Sequence, residues 1–205
     1  MKIICIGRNY ADHAAELGNK QPAEPLFFMK PESAFLHKET PFVVPEWTQD
    51  CQHEAELVVR IERIARWVPV EFAHRCYHEV GLGIDFTARD VQEELKAAGH
   101  PWEKAKAFDG SAVRPLAWTS LKDLGGDVQN LDFELEKNGA IVQSGNTRDM
   151  LFTVDQLIAH VSKFCTLKTG DLLYTGTPAG VARVAPGDQL TGRLCGREQF
   201  NVHVL

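Results

Sequence analysis

Two glutamates, Glu54 and Glu56, stand two residues apart at the start of an apolar run that extends to Ile61. Side chains two residues apart on a strand point to the same side, so a strand here would place both carboxylates on one face of a sheet. A third acid, Asp85, closes a second apolar run that begins at Val80. The pattern therefore predicts three carboxylates at the rim of an apolar sheet.

Three carboxylates held this close repel one another, and the repulsion can be relieved in three ways. They can take up protons, remain in water, or share a divalent cation. In the simpler alternative, Glu54 and Glu56 line the wet face of an edge strand and Asp85 merely ends a strand, because antiparallel sheets often keep one polar face. The glutamate pair alone does not decide between these alternatives.

Composition narrows the class of protein. The chain has 205 residues, 44% of them hydrophobic and 24% charged, which predicts one folded domain over residues 1–205. A net charge of −6 without a basic run argues against nucleic acid as a partner. Five cysteines without Cys-x-x-Cys spacing indicate neither a disulfide framework nor a thiolate zinc site. No apolar stretch suits a signal peptide or a membrane span, so we expect a soluble, cytoplasmic protein without a membrane partner.

Strands and turns dominate the predicted elements. We expect strands at residues 2–6, 54–64, 77–86, 131–136 and 140–143, and several short strands from residue 172 onward. We expect helices at residues 12–17, after a capping box of Thr87 and Asp90, and after a second capping box of Thr153 and Gln156, the last with Leu157, Val161 and Phe164 on one core-facing side. Asn138-Gly139 predicts a hairpin, and a loop with Pro22, Pro25 and Pro31 follows the first helix. This order excludes regular βαβ winding and predicts an α+β fold that is rich in strands.

His13 and Glu16 lie three residues apart, so on a helix they would be neighbours. A carboxylate that binds one imidazole nitrogen fixes the tautomer and leaves the other nitrogen free to accept a proton. The pair therefore fits a general-base dyad. The alternative is a solvated helix face on which the contact is incidental.

Two further segments could contact a negatively charged ligand. The segment from Gly170 to Val181 is a strand that runs into a loop containing Gly176 and Thr177, and its amide and hydroxyl groups could hold a carboxylate. Lys106, which would share a side with Lys104 in an extended segment, could stabilise an enolate beside a metal-bound carboxylate. A simple strand connection and a surface lysine are the respective alternatives.

Taken together, the segments resemble the fumarylacetoacetate hydrolase family, in particular its short acylpyruvase branch, which is similar to fumarylpyruvate hydrolases. The resemblance rests on ordered motifs that run almost end to end: GRNYADHAAELG, PLFFMKP, HEAELVVRI, GIDFTARDVQ, PWEKAKAFD, QSGNTRDM and GDLLYTGTPAGV. Several motifs in the family's order are far more specific than any one of them. The extra N-terminal domain of the longer fumarylacetoacetate hydrolases is absent, which favours the short branch.

The resemblance implies a fold, a cofactor and roles for residues. It implies the β-rich mixed sheets of the fumarylacetoacetate hydrolase C-terminal domain with a few short helices, and usually a homodimer. It implies that Glu54, Glu56 and Asp85 bind Mg²⁺ or Mn²⁺, in keeping with their all-oxygen chemistry. His13 and Glu16 would lie on a lid over the substrate. Positions near the substrate are matched by Lys106 and Thr177, and candidates for specificity by Arg8, Lys30, Arg89 and Gln92.

The implied reaction is cleavage of an acylpyruvate, a 2,4-diketo acid such as acetylpyruvate or fumarylpyruvate, to pyruvate and a carboxylic acid. In this hypothesis His13, oriented by Glu16, activates a water, the glycine-rich loop around Gly176 holds the acid end, and Lys106 shares the charge of the enolate that forms. Oxaloacetate decarboxylation and keto-enol isomerisation use the same electron sink and stay open. A metal-dependent phosphoesterase would need clustered basic residues, and a metal-stabilised scaffold would have no use for the dyad.

Overall fold

Strands grouped in three sheets are the main regular structure of the molecule. The computed structural model describes residues 1–16, 21–38 and 40–205, without the side chains of residues 13–15. In this part of the chain the strands are β1 (Ile3–Gly7), β2 (Leu26–Lys30), β3 (Cys51–His53), β4 (Ala55–Arg60), β5 (Glu79–Asp85), β6 (Thr87–Ala88), β7 (Ala112–Val113), β8 (Thr119–Ser120), β9 (Asp132–Lys137), β10 (Ala140–Asn146), β11 (Leu172–Tyr174), β12 (Ala182–Arg183), β13 (Gln189–Leu194) and β14 (Arg197–His203).

The helices are few and short. They are α1 (Ala11–Glu16), α2 (Val70–Ala73), α3 (Arg89–Ala98), α4 (Glu103–Lys106) and α5 (Val154–Phe164), with 3₁₀ turns at Glu32–Ala34, His74–Cys76, Leu121–Leu124 and Thr147–Asp149. Among the residues described, none of the helices has the length and apolar character needed to cross a bilayer.

The largest sheet is mixed. Its seven strands follow the order β2-β1-β11-β4-β5-β7, with β8 also paired to β5, and only the β1–β11 pair among these described strands is parallel. A four-stranded sheet has the order β10-β9-β13-β14, and a three-stranded sheet the order β12-β3-β6. The strand-rich α+β fold that the sequence predicts is confirmed.

Antiparallel pairing of β4 and β5 fixes the side-chain directions at the centre of this sheet. Ala55 lies opposite Ile84 and Glu56 opposite Gly83. Leu57 and Val59 point into the main apolar core, whereas Glu56 and its neighbours at alternate positions face the other side. Alternation therefore divides the side chains of β4 between two faces of the sheet, and both faces are buried.

Two local predictions at the periphery are confirmed. Asn138 and Gly139 join β9 to β10 with φ values of 54° and 81°, the positive angles that a tight hairpin turn of type I′ requires. Thr153 and Gln156 form a capping box with both reciprocal hydrogen bonds at the start of α5.

Other local predictions are wrong at their boundaries. The strand expected over residues 54–64 is β4, but it begins only at Ala55 and ends at Arg60, and Glu54 joins it to β3 of another sheet. The expected capping box before α3 does not form. Thr87 belongs to β6, and Asp90 instead accepts hydrogen bonds from Thr48 and from backbone amides.

Three further differences reflect tertiary contacts. β2 occupies the proline-containing segment that was expected to be a loop, because Pro25 and Pro31 flank an edge strand rather than interrupt it. Phe164, expected in the core, is 65% exposed at the end of α5. Lys104 and Lys106 lie on the helix α4, so they do not share a side as they would in a strand.

Gly83 provides a test of the β4–β5 packing. A Cβ at this position would lie 2.9 Å from Tyr174 Cε1 and from Val58 Cγ2, and closer still to the Val113 carbonyl oxygen. We expect Gly83→Ala to lower the free energy of unfolding by about 1–3 kcal/mol, measured by urea denaturation. Gly7→Ala is the control, because its Cβ would meet nothing nearer than 3.4 Å. Equal stability of the two variants would contradict this packing.

Candidate active site

The three predicted carboxylates converge at the end of the β4–β5 ladder. The register continues so that Glu54 lies opposite Asp85, and the Asp85 amide donates a hydrogen bond of 2.9 Å to the Glu54 carbonyl oxygen. Oxygen atoms from Glu54, Glu56 and Asp85 all lie within 4.8 Å of one another, and the residues are only 5%, 1% and 1% exposed. The convergence follows from alternation along two paired strands. The role of the three residues as metal ligands stays a prediction.

Cationic side chains surround two of these carboxylates. Lys106, at the end of α4, donates hydrogen bonds of 2.7 Å to Glu54 Oε2, 2.9 Å to Asp85 Oδ2 and 2.5 Å to Thr87 Oγ1. Arg89, the first residue of α3, forms a short ion pair with Glu54 Oε1. Since an ammonium has three N–H donors, those of Lys106 are all engaged, and Lys106 offers a ligand its positive charge.

The surroundings favour the charged form of Lys106 but disfavour the charged form of Glu56. Burial by itself would lower the pKa of Lys106, but the carboxylates of Asp85 and Glu54 outweigh it, so the pKa is raised and the ammonium stays charged. For Glu56, burial and then the charges of Asp85 and Glu54 raise the pKa well above its ordinary value of 4.5. Glu56 is thus the carboxylate whose charge is least compensated.

This donor set fits a hard divalent cation. All three groups present carboxylate oxygens, the ligands that Mg²⁺ and Mn²⁺ prefer, and their separation allows one ion to contact each of them. A cation there would also compensate the charge of Glu56, which receives only the Gly176 amide as a hydrogen-bond donor among the described residues. The three carboxylates can therefore bind a divalent metal.

Two of the expected substrate-binding residues support the carboxylates directly. Lys30 is 2% exposed, and its Nζ lies 2.6 Å from Asp85 Oδ1 and donates a hydrogen bond of 2.7 Å to the Ser111 carbonyl oxygen. The Gly176 amide donates a hydrogen bond of 2.8 Å to Glu56 Oε2. Both groups orient an acid of the cluster, and neither lines the cavity above it. Their contact with substrate stays a prediction.

Thr177 lines the cavity, but its hydroxyl proton is engaged. Gln143 Nε2 donates to Thr177 Oγ1 at 2.9 Å, so the hydroxyl donates its proton to the Ala55 carbonyl oxygen at 2.9 Å. Thr177 Oγ1 can thus offer a ligand only a lone pair. The sequence predicted that this hydroxyl holds a carboxylate, but a carboxylate needs a donor, whereas a hydroxyl group of a ligand could donate to Thr177.

Gln143 holds this arrangement from the neighbouring sheet. Its Oε1 accepts from the Ala55 amide at 3.0 Å, and its Nε2 donates to the Pro178 carbonyl oxygen at 3.1 Å, so the backbone fixes the orientation of its amide. His53 Nδ1 lies 2.9 Å from the same Oε1 and must therefore carry a proton. Burial lowers the pKa of His53, which keeps the ring neutral. No motif in the sequence predicted this network.

The remaining expected residues form the wall of the cavity. Arg8, Arg89 and Gln92 all line it. Arg89 has five N–H donors, of which three bind Gln52, Gln92 and Glu54, so two remain for a ligand.

Phe28, Lys96 and Trp102 also line this cavity, and sequence reasoning did not find the last two. The helical spacing of Lys96 from Arg89 and Gln92 was the available signal, because seven and four residues bring side chains to one helix face. A larger cavity of about 320 Å³, at the Arg60 end of β4, contains none of the predicted site residues.

The structure describes only part of the predicted dyad of His13 and Glu16. The backbone of His13 lies in α1, as expected from the sequence, but its side chain lies outside the described residues. The Glu16 carboxylate accepts hydrogen bonds of 3.1 and 3.4 Å from the Gly180 amide, which connects α1 to the loop that carries Thr177. The role of the dyad as a general base stays a prediction.

Metal binding can be tested through its pH dependence. Because the pKa of Glu56 is raised, the protonated side chain favours the folded state when no metal is bound. This contribution to stability is present in full below the ordinary pKa of 4.5 and is lost as the pH rises through the raised pKa. Metal binding needs the carboxylate form, so Mn²⁺ should raise the melting temperature more at about pH 8 than at about pH 5. We expect Glu56→Gln to weaken Mn²⁺ binding at least about tenfold by calorimetry. Unchanged affinity would exclude Glu56 as a ligand.

The Gln143 network predicts an unusually costly substitution. Gln143→Met removes the partners of several buried polar groups, so the free energy of unfolding should fall by at least about 2 kcal/mol. Gln199→Met is the matched control, because Gln199 is also buried but its side chain has one described hydrogen bond, 3.2 Å from the Leu82 amide. The network would add little to stability if chemical denaturation showed that Gln143→Met lowers the free energy of unfolding no more than Gln199→Met does.

Comparison with known proteins finds relatives that match most of the chain. The model of the fumarylacetoacetate (FAA) hydrolase C-terminal family matches residues 2–201. The oxaloacetate tautomerase YcgM of Escherichia coli (strain K12) is 43% identical over 93% of this chain and 86% of its own length. The mitochondrial oxaloacetate decarboxylase of Dictyostelium discoideum is 38% identical over 98% of this chain and 93% of its own length.

A solved structure shares the fold and has bound ligands. The fumarylpyruvate hydrolase of Pseudomonas aeruginosa, solved in complex with Mn²⁺ and pyruvate, superposes with a TM-score of 0.93 at 31% identity, covering 100% of this chain and 89% of that one. The family match spans nearly the whole chain, and the fold agrees with it. The chain therefore belongs to the fumarylacetoacetate hydrolase family of enzymes.

Proposed function

We propose that this enzyme catalyses the keto-enol tautomerisation of oxaloacetate, with Mg²⁺ or Mn²⁺ held by Glu54, Glu56 and Asp85. The observation that carries the proposal is the buried Lys106 ammonium, bonded to two of these acids, which are themselves almost fully buried. Positive charge fixed in such a place stabilises an enolate more than it would in water. A divalent cation bound there would supply a Lewis acid for the 2-keto group.

The charges of the site favour a dianionic substrate. The three carboxylates are balanced by the three buried cations Lys30, Arg89 and Lys106. A bound divalent cation would leave two excess positive charges in a site of low dielectric constant. Oxaloacetate carries two carboxylates and would balance the excess charge of these buried groups, which a monoanionic keto acid would not.

Hydrogen-bond polarity also suits enol chemistry. The two N–H groups that Arg89 has left can bind the carboxylate next to the keto group. Thr177 Oγ1, which can only accept, suits the O–H of an enol and not a carboxylate. Lys106 contributes charge to the developing enolate oxygen.

The proton is moved by His13 in this proposal. His13 takes a proton from C3 of the keto form and passes it to the oxygen on C2 to give the enol, and in the reverse direction it takes the proton from that oxygen and returns it to C3. Glu16, three residues further along α1, orients the imidazole and is itself held by the Gly180 amide. The position of both residues on one short helix supports this assignment.

Acylpyruvate hydrolysis to pyruvate and a carboxylic acid is the second candidate. It is supported by the similarity to the fumarylpyruvate hydrolase of Pseudomonas aeruginosa. Hydrolysis needs a water that His13 would activate, whereas tautomerisation does not. Oxaloacetate decarboxylation shares the enolate and is supported by the relative from Dictyostelium discoideum.

The homodimer that the family resemblance implies is also a proposal, and light scattering of the purified protein would test it.

A steady-state assay of the protein loaded with Mg²⁺ or Mn²⁺ separates these candidates. We expect oxaloacetate tautomerisation to exceed both oxaloacetate decarboxylation and the cleavage of acetylpyruvate or fumarylpyruvate. His13→Ala should lower kcat for tautomerisation by about 10²- to 10⁴-fold, as for the loss of a general base. His160→Ala, on the distant helix α5, is the control and should leave kcat unchanged.

The outcomes distinguish the proposals clearly. Faster turnover of an acylpyruvate than of oxaloacetate would favour the hydrolase. Undiminished tautomerisation by His13→Ala would exclude His13 as the base, whichever substrate is preferred.

A further inference from the structure

Lys96 has no assigned role, yet its position connects it to the active site. It lies on α3, seven residues after Arg89 and four after Gln92, so all three side chains are on one face of the helix. All three line the cavity above the carboxylates. Arg89 and Gln92 are buried, whereas Lys96 is half-buried, which places it at the outer end of the cavity.

Arg8 reaches the same cavity from the other side. It follows β1 directly and has φ of 60°, in the left-handed region that residues other than glycine rarely adopt. Such a conformation costs free energy and persists where the surrounding structure imposes it, often at a functional site. It turns the guanidinium out of the course of β1 and into the wall of the cavity.

The charges of these two cations are poorly compensated by the residues that the structure describes. In the described part of the chain, neither Arg8 nor Lys96 forms an ion pair. Burial and then the charges of Arg8 and Arg89 lower the pKa of Lys96, and the opposing effect of Glu93 does not compensate for them. An anion placed between Arg8 and Lys96 would relieve this repulsion.

We propose that Lys96 and Arg8 bind the distal carboxylate of a four-carbon 2-keto dicarboxylic acid, and so determine that the site prefers dianions. The inference rests on the proposed function, because Arg89 takes the other carboxylate. Three C–C bonds of about 1.5 Å separate the carboxyl carbons by roughly 4 Å, and a cation bound to each lies roughly 3–4 Å further out. The two cations would then be about 11 Å apart, close to the roughly 10 Å that the two helical turns from Arg89 to Lys96 span. Phe28 and Trp102, whose rings pack edge to face at 5.8 Å, form an apolar wall for the carbons between.

Two substrates that differ only at the distal group test the proposal. Oxaloacetate ends in a carboxylate, and 2-oxobutanoate has a methyl group at the same place. Enolisation of both can be followed as deuterium exchange at C3 by NMR, corrected for spontaneous exchange. We expect Lys96→Gln to lower kcat/KM for oxaloacetate by about 10- to 100-fold, mainly through KM, and to change that for 2-oxobutanoate less than about twofold.

Two further variants serve as controls. Lys96→Arg keeps the charge and should retain most of the preference for oxaloacetate. Lys163→Gln removes an exposed lysine from α5 and should leave the rates of both substrates unchanged.

An equal fall in kcat/KM for both substrates with Lys96→Gln would overturn the proposal, because Lys96 would then act on the fold or on the reaction in general. This result differs from a failure of the proposed function, in which the wild-type enzyme exchanges deuterium in neither substrate. Equilibrium binding separates the two further. The Kd of malate should rise about 10- to 100-fold in Lys96→Gln, while that of 2-hydroxybutanoate should not change. An unchanged Kd of malate would contradict the proposal even without turnover.

Discussion

Antiparallel pairing of β4 with β5 is the constraint on which the site depends. It places Glu54 opposite Asp85 and leaves Gly83, without a side chain, opposite Glu56. One ladder therefore brings three carboxylates to one end of a sheet whose central positions are mostly apolar. Like charges at such distances are unfavourable, so the rest of the site is built to compensate them.

Compensation comes from separate parts of the chain. Lys30 arrives on an edge strand, Arg89 on the first turn of α3 and Lys106 on the short helix α4, and each contacts Asp85 or Glu54. The Gly176 amide donates to Glu56, and Gln143 holds the Ala55 backbone and the Thr177 hydroxyl beside the acids. Because these partners fix the acids in place, a cation and a substrate would meet a site that needs little reorganisation.

The sequence predicted the site better than it predicted the elements. Alternation around Glu56 is a local property, and the ordered motifs fixed the family, so the acids and Lys106 could be found without a structure. The capping box at Thr87 failed, because local patterns do not show that Thr87 binds Lys106. The strand expected over residues 54–64 was too long, because they do not show that the chain changes sheets at Glu54 or that β4 ends at Arg60. Gln143 was missed because an amide that links two sheets has no local signature.

By itself the sequence determined the class of fold, the family and the acids that converge, since periodicity and motif order are written along the chain. Only the tertiary structure decided which donors and acceptors are already engaged. The amide of Gly176 and the hydroxyl of Thr177 could both bind a substrate carboxylate when judged by residue type, yet one binds Glu56 and the other donates to Ala55. Hydrogen bonds between residues distant in sequence fix that polarity, and so they decide what the site can bind.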